Sequence, residues 1–349
     1  MDTQWISQSR QQHLSIANTP RIGVVIVNYK GVEDTIHCLQ SLSQSTYQNF
    51  QVFVIDNDSQ DHSVSTLKAL QESKNCAVDF TLIESDVNLG FSGGNNIAIS
   101  AMISFNDALS TNREKGAQQP QMGNETNGRQ LPYDYVWLLN NDATADPHCL
   151  KNMVDEAGKT GGLVGSLVLY PDKTYQRVGT QINWKTGGVS GYAEGCLKDG
   201  MALECLSGAS MLIPVSVIKR IGLMDESYFL YFEDAEYCLR AAEKRIPVTL
   251  SLKARVYHHE GKSTGKHSLA TQYYYHRNRL RLLAQYADGN ERFSIGLYTS
   301  FRMLRSVVKS FLSPAQPEKK ASLAVQKLAV RDFKQGVSGP CPHNLQALQ

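Results

Sequence analysis

Short runs of β-branched and other apolar residues recur through the first 142 residues of this chain, most of them closed by asparagine or aspartate. They are IGVVIVN at 22–28, VFVID at 52–56, an apolar stretch at 80–83 and YVWLLN at 135–140. Continuous apolar runs of this length are the signature of strands buried on both faces. Helical spacing fills the gaps between them. Ile36, Leu39 and Leu42 share one face, and Val64, Leu67 and Leu70 share another, with Asp61 as the expected N-cap of the second helix. A β-α-β-α-β order predicts a parallel sheet with right-handed crossovers.

The 349 residues can fill one large core or two fused halves. A net charge of +2 gives no broad field for nucleic acid, so none is expected as a partner. The seven cysteines form no C-x-x-C pair, which favours reduced thiols over a disulfide frame or a zinc knuckle. Residues 1–20 form a polar, Gln-rich extension without an apolar signal core. No apolar run approaches the roughly 18 residues of a membrane span. The expected location is the cytoplasm, with peripheral contact at the inner face of the membrane.

Residues 106–132 are rich in Gln, Asn and Gly and read as a mobile polar insertion. The second half is less regular. It holds a strand at 163–170, Gly- and aromatic-rich hairpins or loops at 174–203, and a short helix at 214–221 that starts on proline. A helix follows at 233–244, then a strand at 248–258 and a Tyr- and Arg-rich helix at 273–286. The expected division is a first half at 21–142, a second half at 143–289 and a basic amphipathic tail at 290–349.

Ligands of an open parallel sheet sit beyond the carboxyl ends of its strands. Asn28-Tyr29, Asp56-Asn57-Asp58 and Asn140-Asn141-Asp142 all fall there, and NLGFSGGNN at 88–96 is expected as a Gly-rich turn leading into a helix that ends near Phe105. Asx residues after a strand more often form turns or caps than bind ligands. Three such ends on one rim argue for a ligand. Tyr29 can pack along a nucleobase, and Asp56 can accept the imide N–H of a uracil or thymine.

With these segments in place the chain resembles the family 2 glycosyltransferases of the GT-A fold, and within them the bacterial rhamnosyltransferase-like group. The matching stretches lie within residues 21–285. They are VVIVNYKGVEDTIHCLQSL, VIDNDSQD, NLGFSGGNN, YVWLLNNDAT, LSGASMLI, MDESYFLYFEDAEYCLR, ARVYHHEGKS and YYYHRNRL. The resemblance implies a Rossmann-like, mostly parallel central sheet flanked by helices, with a C-terminal helical tail. It implies a nucleoside pocket at Asn28, Tyr29 and Asp56, and donor contacts from Asn88, Gly90, Asn95, Asn96, Asn140 and Asn141. Asn140-Asn141-Asp142 takes the place of the acidic D-x-D motif. Asp142 would then hold a divalent cation, Mg²⁺ or Mn²⁺, with His258 completing the shell in preference to the adjacent His259. Asn95 stands where many relatives carry an arginine, so phosphate charge falls to Arg277, Arg279 or Lys262.

Glu233-Asp234 is the expected reactive centre. Displacement at an anomeric carbon needs a base for the acceptor hydroxyl. Asp234 matches the family's base, and Glu233 would position the acceptor or tune Asp234. Phe232 and Gly208 would line the acceptor site. One base and one metal-held leaving group imply a single displacement with inversion. The resemblance alone implies a dTDP- or UDP-sugar donor, with rhamnose from dTDP-rhamnose as the specific case. The acceptor would be a cell-surface glycan or a lipid-linked saccharide.

Carboxylates also favour helix N-termini through the dipole, which is the plain alternative for the acidic pair. Leu297, Phe301, Leu304, Val308 and Phe311 share a helical face beside Arg302, Arg305 and Lys309. That pattern suits an interfacial helix or one packed on the domain. The rival functions are a non-catalytic nucleotide-sugar binder and a family 2 enzyme using another hexose. Neither G-x-G-x-x-G after the first strand nor a P-loop occurs, which removes dinucleotide dehydrogenases and P-loop enzymes.

Overall fold

The computed structural model describes residues 19–73, 76–115, 132–259, 268–312 and 317–348. Most of the N-terminal extension, the centre of the polar insertion and Lys262 lie outside them. In chain order the elements are β1 (Ile22–Asn28), α1 (Val32–Leu42), β2 (Phe50–Asn57), α2 (Ser63–Glu72), β3 (Phe80–Ser85), α3 (Gly90–Lys115), β4 (Tyr135–Leu139) and β5 (Ala143–Ala145). There follow α4 (Cys149–Thr160), β6 (Leu163–Leu169), β7 (Tyr175–Arg177), β8 (Gly179–Asn183), β9 (Gly188–Gly191), β10 (Cys205–Leu206), β11 (Ser210–Pro214), α5 (Val215–Ile221) and α6 (Glu233–Glu243). The chain continues through β12 (Val248–His258), α7 (Leu269–Tyr286), α8 (Gly289–Leu312) and α9 (Pro317–Lys334).

The main sheet runs β3-β2-β1-β4-β11-β6-β12-β5, with β7 on the flank of β6. The first four strands are parallel, as the alternating pattern predicts. β11 enters antiparallel between β4 and β6, and β12 returns parallel to β6. Alternate side chains of each central strand enter opposite cores. Val25, Phe53, Ile55 and Leu138 meet Ala98, Met102 and Phe105 of α3 on one face. Val24, Ile26, Val54 and Trp137 meet Leu39 of α1 and Leu150 and Met153 of α4 on the other. Both faces are therefore dry, which explains the unbroken apolar runs. A smaller antiparallel sheet, β10-β8-β9, occupies the expected hairpin region.

Four details differ from the sequence-based expectations. The Gly-rich segment is not a turn: α3 begins at Gly90 and takes in Gly93, Gly94, Asn95 and Asn96. The same helix runs on to Lys115, well past Phe105 and into the supposed insertion. The N-cap position of α2 belongs to His62, although Asp61 still accepts the Ser63 amide at 2.8 Å. The tail divides in two. α9 packs on α7 through Tyr273, Tyr274, Val325 and Ala329, whereas α8 keeps large apolar side chains in solvent.

Candidate active site

Parallel register sets the donor side. Asn28 lies level with Asp56, and Val25 with Leu138, so the chain leaving β4 passes the end of β1. Asn28 donates to Asp56 Oδ1 at 2.7 Å and to Ser59 Oγ at 3.2 Å, and accepts from Thr35 Oγ1 at 2.9 Å. Asp56 also takes the Ser59 amide at 3.1 Å and hydroxyl at 2.6 Å. These two residues build the floor of the rim from inside, while Tyr29 remains partly exposed above it. Asn141 closes the network by donating to Gly31 O and Thr35 Oγ1.

Asn57 was not singled out from the sequence, yet it fixes the next loop. Its amide donates to Asn88 Oδ1 and Gly90 O, and its carbonyl accepts the Leu89 amide. Gly90 sits at φ +69°, where a Cβ would fall 2.2 Å from the Phe229 carbonyl. Only glycine accepts both that backbone and that contact. The neighbouring Phe91 amide donates to the same carbonyl at 2.7 Å.

Two expected donor ligands are committed to the scaffold. Asn96 exchanges bonds with Met224 and donates to Glu226, and Asn95 donates back to Phe91 O. Arg277, expected at the diphosphate, is fully buried. Its guanidinium donates to Asn278 Oδ1, Tyr228 O and Gly339 O, and lies against the Tyr273 and Tyr274 rings. Carbonyls and ring faces surround it, a cradle no linear pattern reveals, and its Nη1 is buried without a hydrogen-bond partner. Arg279 is likewise buried and donates to Gly187 O.

Sheet pairing brings the expected metal residues together. β5 pairs antiparallel with β12, setting Ala143 opposite His258, and the His259 amide donates to Asp142 O. His258 Nε2 stands 3.0 Å from Asp142 Oδ1. The Gln176 amide donates to His258 O, so its carbonyl oxygen faces His258 Nδ1 at 2.9 Å. In the neutral ring that arrangement puts the proton on Nδ1, and Nε2 then accepts from the Asn140 amide at 3.3 Å. Asp142 Oδ1 has no hydrogen-bond partner, nor does Asn140 Oδ1. A carboxylate oxygen and an imidazole nitrogen thus stand together at the rim, a pair that a bound cation would share. The donor set, carboxylate oxygen plus imidazole nitrogen, suits Mn²⁺ and accommodates Mg²⁺. Among the described residues no group of three or more acidic, His or Cys ligands converges. Two protein ligands therefore leave most of a coordination shell to other donors.

Across the rim, α6 opens with the acidic pair. Asp234 accepts the Gly208 amide at 2.9 Å and the Ala235 amide at 2.8 Å, and keeps some solvent exposure. Glu233 is buried, and its Oε2 has no partner. Burial pushes the Glu233 carboxyl well above the usual range, and the Asp234 charge pushes it further. Burial also raises Asp234, while the two amides and Arg177 pull it back. The two carboxyls interact, and the proton settles on Glu233, where only its own backbone amide favours the anion against burial and the Asp234 charge.

The segment before the pair is strained. Phe229, Tyr231 and Phe232 hold φ of 62°, 67° and 72°, a left-handed conformation costly for bulky residues. Asn278 of α7 holds it in place: its amide donates to Tyr228 O, Leu230 O and Tyr231 O at 2.6, 2.8 and 3.0 Å. It lies in the YYYHRNRL stretch, but its role rests on a long-range contact that the sequence conceals. Phe232 packs on Tyr275, and a Cβ on Gly208 would stand 3.4 Å from both the Asp234 Cβ and the Phe91 ring.

A sheet with polar side chains crowded at the carboxyl ends of parallel strands is the architecture of nucleotide-using enzymes. The chain belongs to glycosyltransferase family 2: the family model described as "Glycosyltransferase like family 2" matches residues 20–281. It is 24% identical over 238 residues to a hexosyltransferase of low-salt glycan biosynthesis from Haloferax volcanii, covering 65% of this chain. The match spans 63% of that relative's own length. It is also 24% identical over 289 residues to an N-acetylglucosaminyl-diphospho-decaprenol L-rhamnosyltransferase from Mycobacterium tuberculosis, covering 78% of this chain and 86% of that protein. The fold is GT-A. A mannosyltransferase from Pyrobaculum calidifontis, solved with GDP-Man and Mn²⁺, matches with a TM-score of 0.53 at 16% identity, over 95% of this chain and 79% of that one.

Two measurements check this wiring. A carboxyl with a raised native pKa binds its proton more tightly folded than unfolded, so its contribution to stability falls as pH rises from the unfolded value through the native one. Glu233→Gln removes that loss. Thermal unfolding is expected to show the variant more stable than wild type at pH 8, with the gap closing toward pH 4. Asn278→Ala removes one donor from each of three carbonyls, of which Tyr228 O keeps others, and is expected to cost about 1–3 kcal/mol in urea unfolding. Asn278→Asp, which turns lone pairs toward those carbonyls, is expected to cost more.

Proposed function

We propose that the chain is an inverting, metal-dependent hexosyltransferase that moves a sugar from a nucleoside-diphosphate donor to a hydroxyl of a glycan or lipid-linked saccharide. The observation that carries the metal-dependent reading is the Asp142–His258 contact: two ligand atoms 3.0 Å apart, the carboxylate oxygen without a hydrogen-bond partner, at the carboxyl end of the parallel strands. Asp142 and His258 would hold a Mg²⁺ or Mn²⁺ ion, with donor phosphate oxygens filling its shell. When bound, the ion supplies positive charge for the departing diphosphate.

The chain's own groups do the rest. Tyr29 offers a ring for the nucleobase, and Asp56 keeps one oxygen, Oδ2, with a single internal donor, free to accept an imide N–H. Asp234 takes the proton of the acceptor hydroxyl as the new C–O bond forms and the bond to the phosphate oxygen breaks. The Gly208 and Ala235 amides aim its carboxylate. Protonated Glu233 stays neutral beside it and can donate to the acceptor. Among the described residues no second ionised carboxylate is placed to form a covalent sugar intermediate, which supports inversion. The identity to a hexosyltransferase and a rhamnosyltransferase supports a hexose or deoxyhexose donor, with dTDP- or UDP-rhamnose-type sugars the first to test. The cytoplasm is the matching compartment for nucleotide-sugar chemistry of this kind.

Two kinetic tests follow. Asp234→Asn keeps size and shape but cannot accept a proton. Its kcat is expected to fall roughly 10²–10⁴-fold with donor affinity nearly unchanged; normal turnover of folded variant would remove Asp234 from the mechanism. Calorimetric titration of nucleoside diphosphate with and without Mn²⁺ addresses the donor side. Asp142→Ala is expected to abolish the metal-dependent part of the affinity and His258→Ala to weaken it, whereas full wild-type activity in excess EDTA would contradict both assignments.

A further inference from the structure

Helix α8 is fixed to the domain only along one side. Ile295 is buried against Leu283 and Gly187, Ser294 Oγ donates to Lys185 O at 2.6 Å, and Arg292 Nε donates to Ala287 O at 2.7 Å. The opposite side is bare. Phe293, Leu297, Phe301 and Leu304 are 71%, 59%, 62% and 63% exposed, and Val308 continues the line. Spacings of four, four, three and four place them in one stripe about 22 Å long at 1.5 Å per residue. A contiguous row of large apolar side chains in water marks a surface built to be covered.

Charge indicates what covers it. The sequence of α8 carries Arg292, Arg302, Arg305 and Lys309 against Glu291, four cations less one acid, a net +3. Exposed Glu318, Lys319 and Lys320 open α9 beyond it, a further net +1. A second copy of the same face would set two such helices together and repel. An anionic lipid surface complements both the charge and the apolar row. No described helix is long and apolar enough to cross a membrane, so contact would be in the plane of the interface.

Position gives the contact a purpose. α8 is pinned to the β8–β9 connection; β8 pairs with β10, and the chain leaving β10 reaches Gly208, whose amide holds Asp234. We propose that the Phe293–Leu297–Phe301–Leu304–Val308 face rests on an anionic lipid surface and presents the Asp234 side of the domain to it. The proposal does not depend on the sugar, the metal or the base, because lipid binding is read without substrate.

The test is flotation of the full chain with vesicles of phosphatidylcholine alone and of phosphatidylcholine with phosphatidylglycerol. Wild type is expected to float with the anionic vesicles, to stay behind with the neutral ones, and to lose binding as salt rises. Leu297→Asp combined with Phe301→Asp is expected to lower the partition at least about tenfold, with circular dichroism unchanged. Arg305→Glu is expected to weaken anionic binding alone. Anionic flotation of the double variant equal to wild type would overturn the proposal. So would a wild-type dimer in sedimentation velocity that the double variant dissolves while neither protein binds vesicles, which would make the face a contact between copies.

Discussion

One side-chain amide holds the segment before α6 in shape. Asn278 bonds three successive-turn carbonyls from Tyr228 to Tyr231, and those bonds stabilise a segment in which Phe229, Tyr231 and Phe232 are all left-handed. Left-handed bulky residues cost of order 1–3 kcal/mol each, so the segment depends on being held from outside. Its shape decides where α6 starts and hence where Glu233 and Asp234 stand. The C-terminal region adds to the restraint. Gly339 accepts from Arg277 and donates to Ser227 O, the Cys341 amide donates to Tyr274 OH, and buried Asp332 accepts from Tyr273 OH. Residues over a hundred positions beyond the acidic pair thus take part in setting its place.

The site itself is built from two acids in opposite electrical states. Asp234 is served by two backbone donors, which favour its charge. Glu233 has only its own, which burial and the Asp234 charge outweigh, and it carries the proton. Asp142 is different again, with an oxygen that lacks a hydrogen bond and stands 3.0 Å from the His258 ring. Buried polar atoms without partners are uncommon in folded proteins. Eleven such side-chain atoms occur among the described residues, and three of them, Asn140 Oδ1, Asp142 Oδ1 and Glu233 Oε2, belong to the candidate site. The molecule spends stability at these points, as expected where ligands are to be received.

Much of the frame was readable in the sequence because burial on both faces leaves an unambiguous mark. β1, β2 and β4 fall where their apolar runs lie, and Asn28 and Asp56 share the rim because parallel register puts them level. Readings failed where a residue's job is set by a distant neighbour. Glycines at 90–94 resemble a turn, but a Cβ on Gly94 would meet Val27 at 2.9 Å, so there the small residue serves helix-to-strand packing inside α3. Arg277 looks like a phosphate ligand by type and place, yet carbonyls of the Tyr228 turn and the C-terminal segment enclose it. Asn57 and Asn278 were missed for the same reason: an asparagine that bonds backbone carries no signal of its partner. The proximity of Asp142 to His258 was implied by the family resemblance, and its cause, the β5–β12 pairing, lies in a three-residue strand too short to read.

The contact between Gly90-Phe91 and the Phe229 carbonyl joins the loop that follows β3 to the segment that leads into the acidic pair. It is a pin shared by two walls, the segment after β3 and the segment before α6. Walls that share a pin cannot adjust separately. On the proposed function, a donor that shifted the first would shift the second, and the fit of either substrate would be registered by the other before any bond is made.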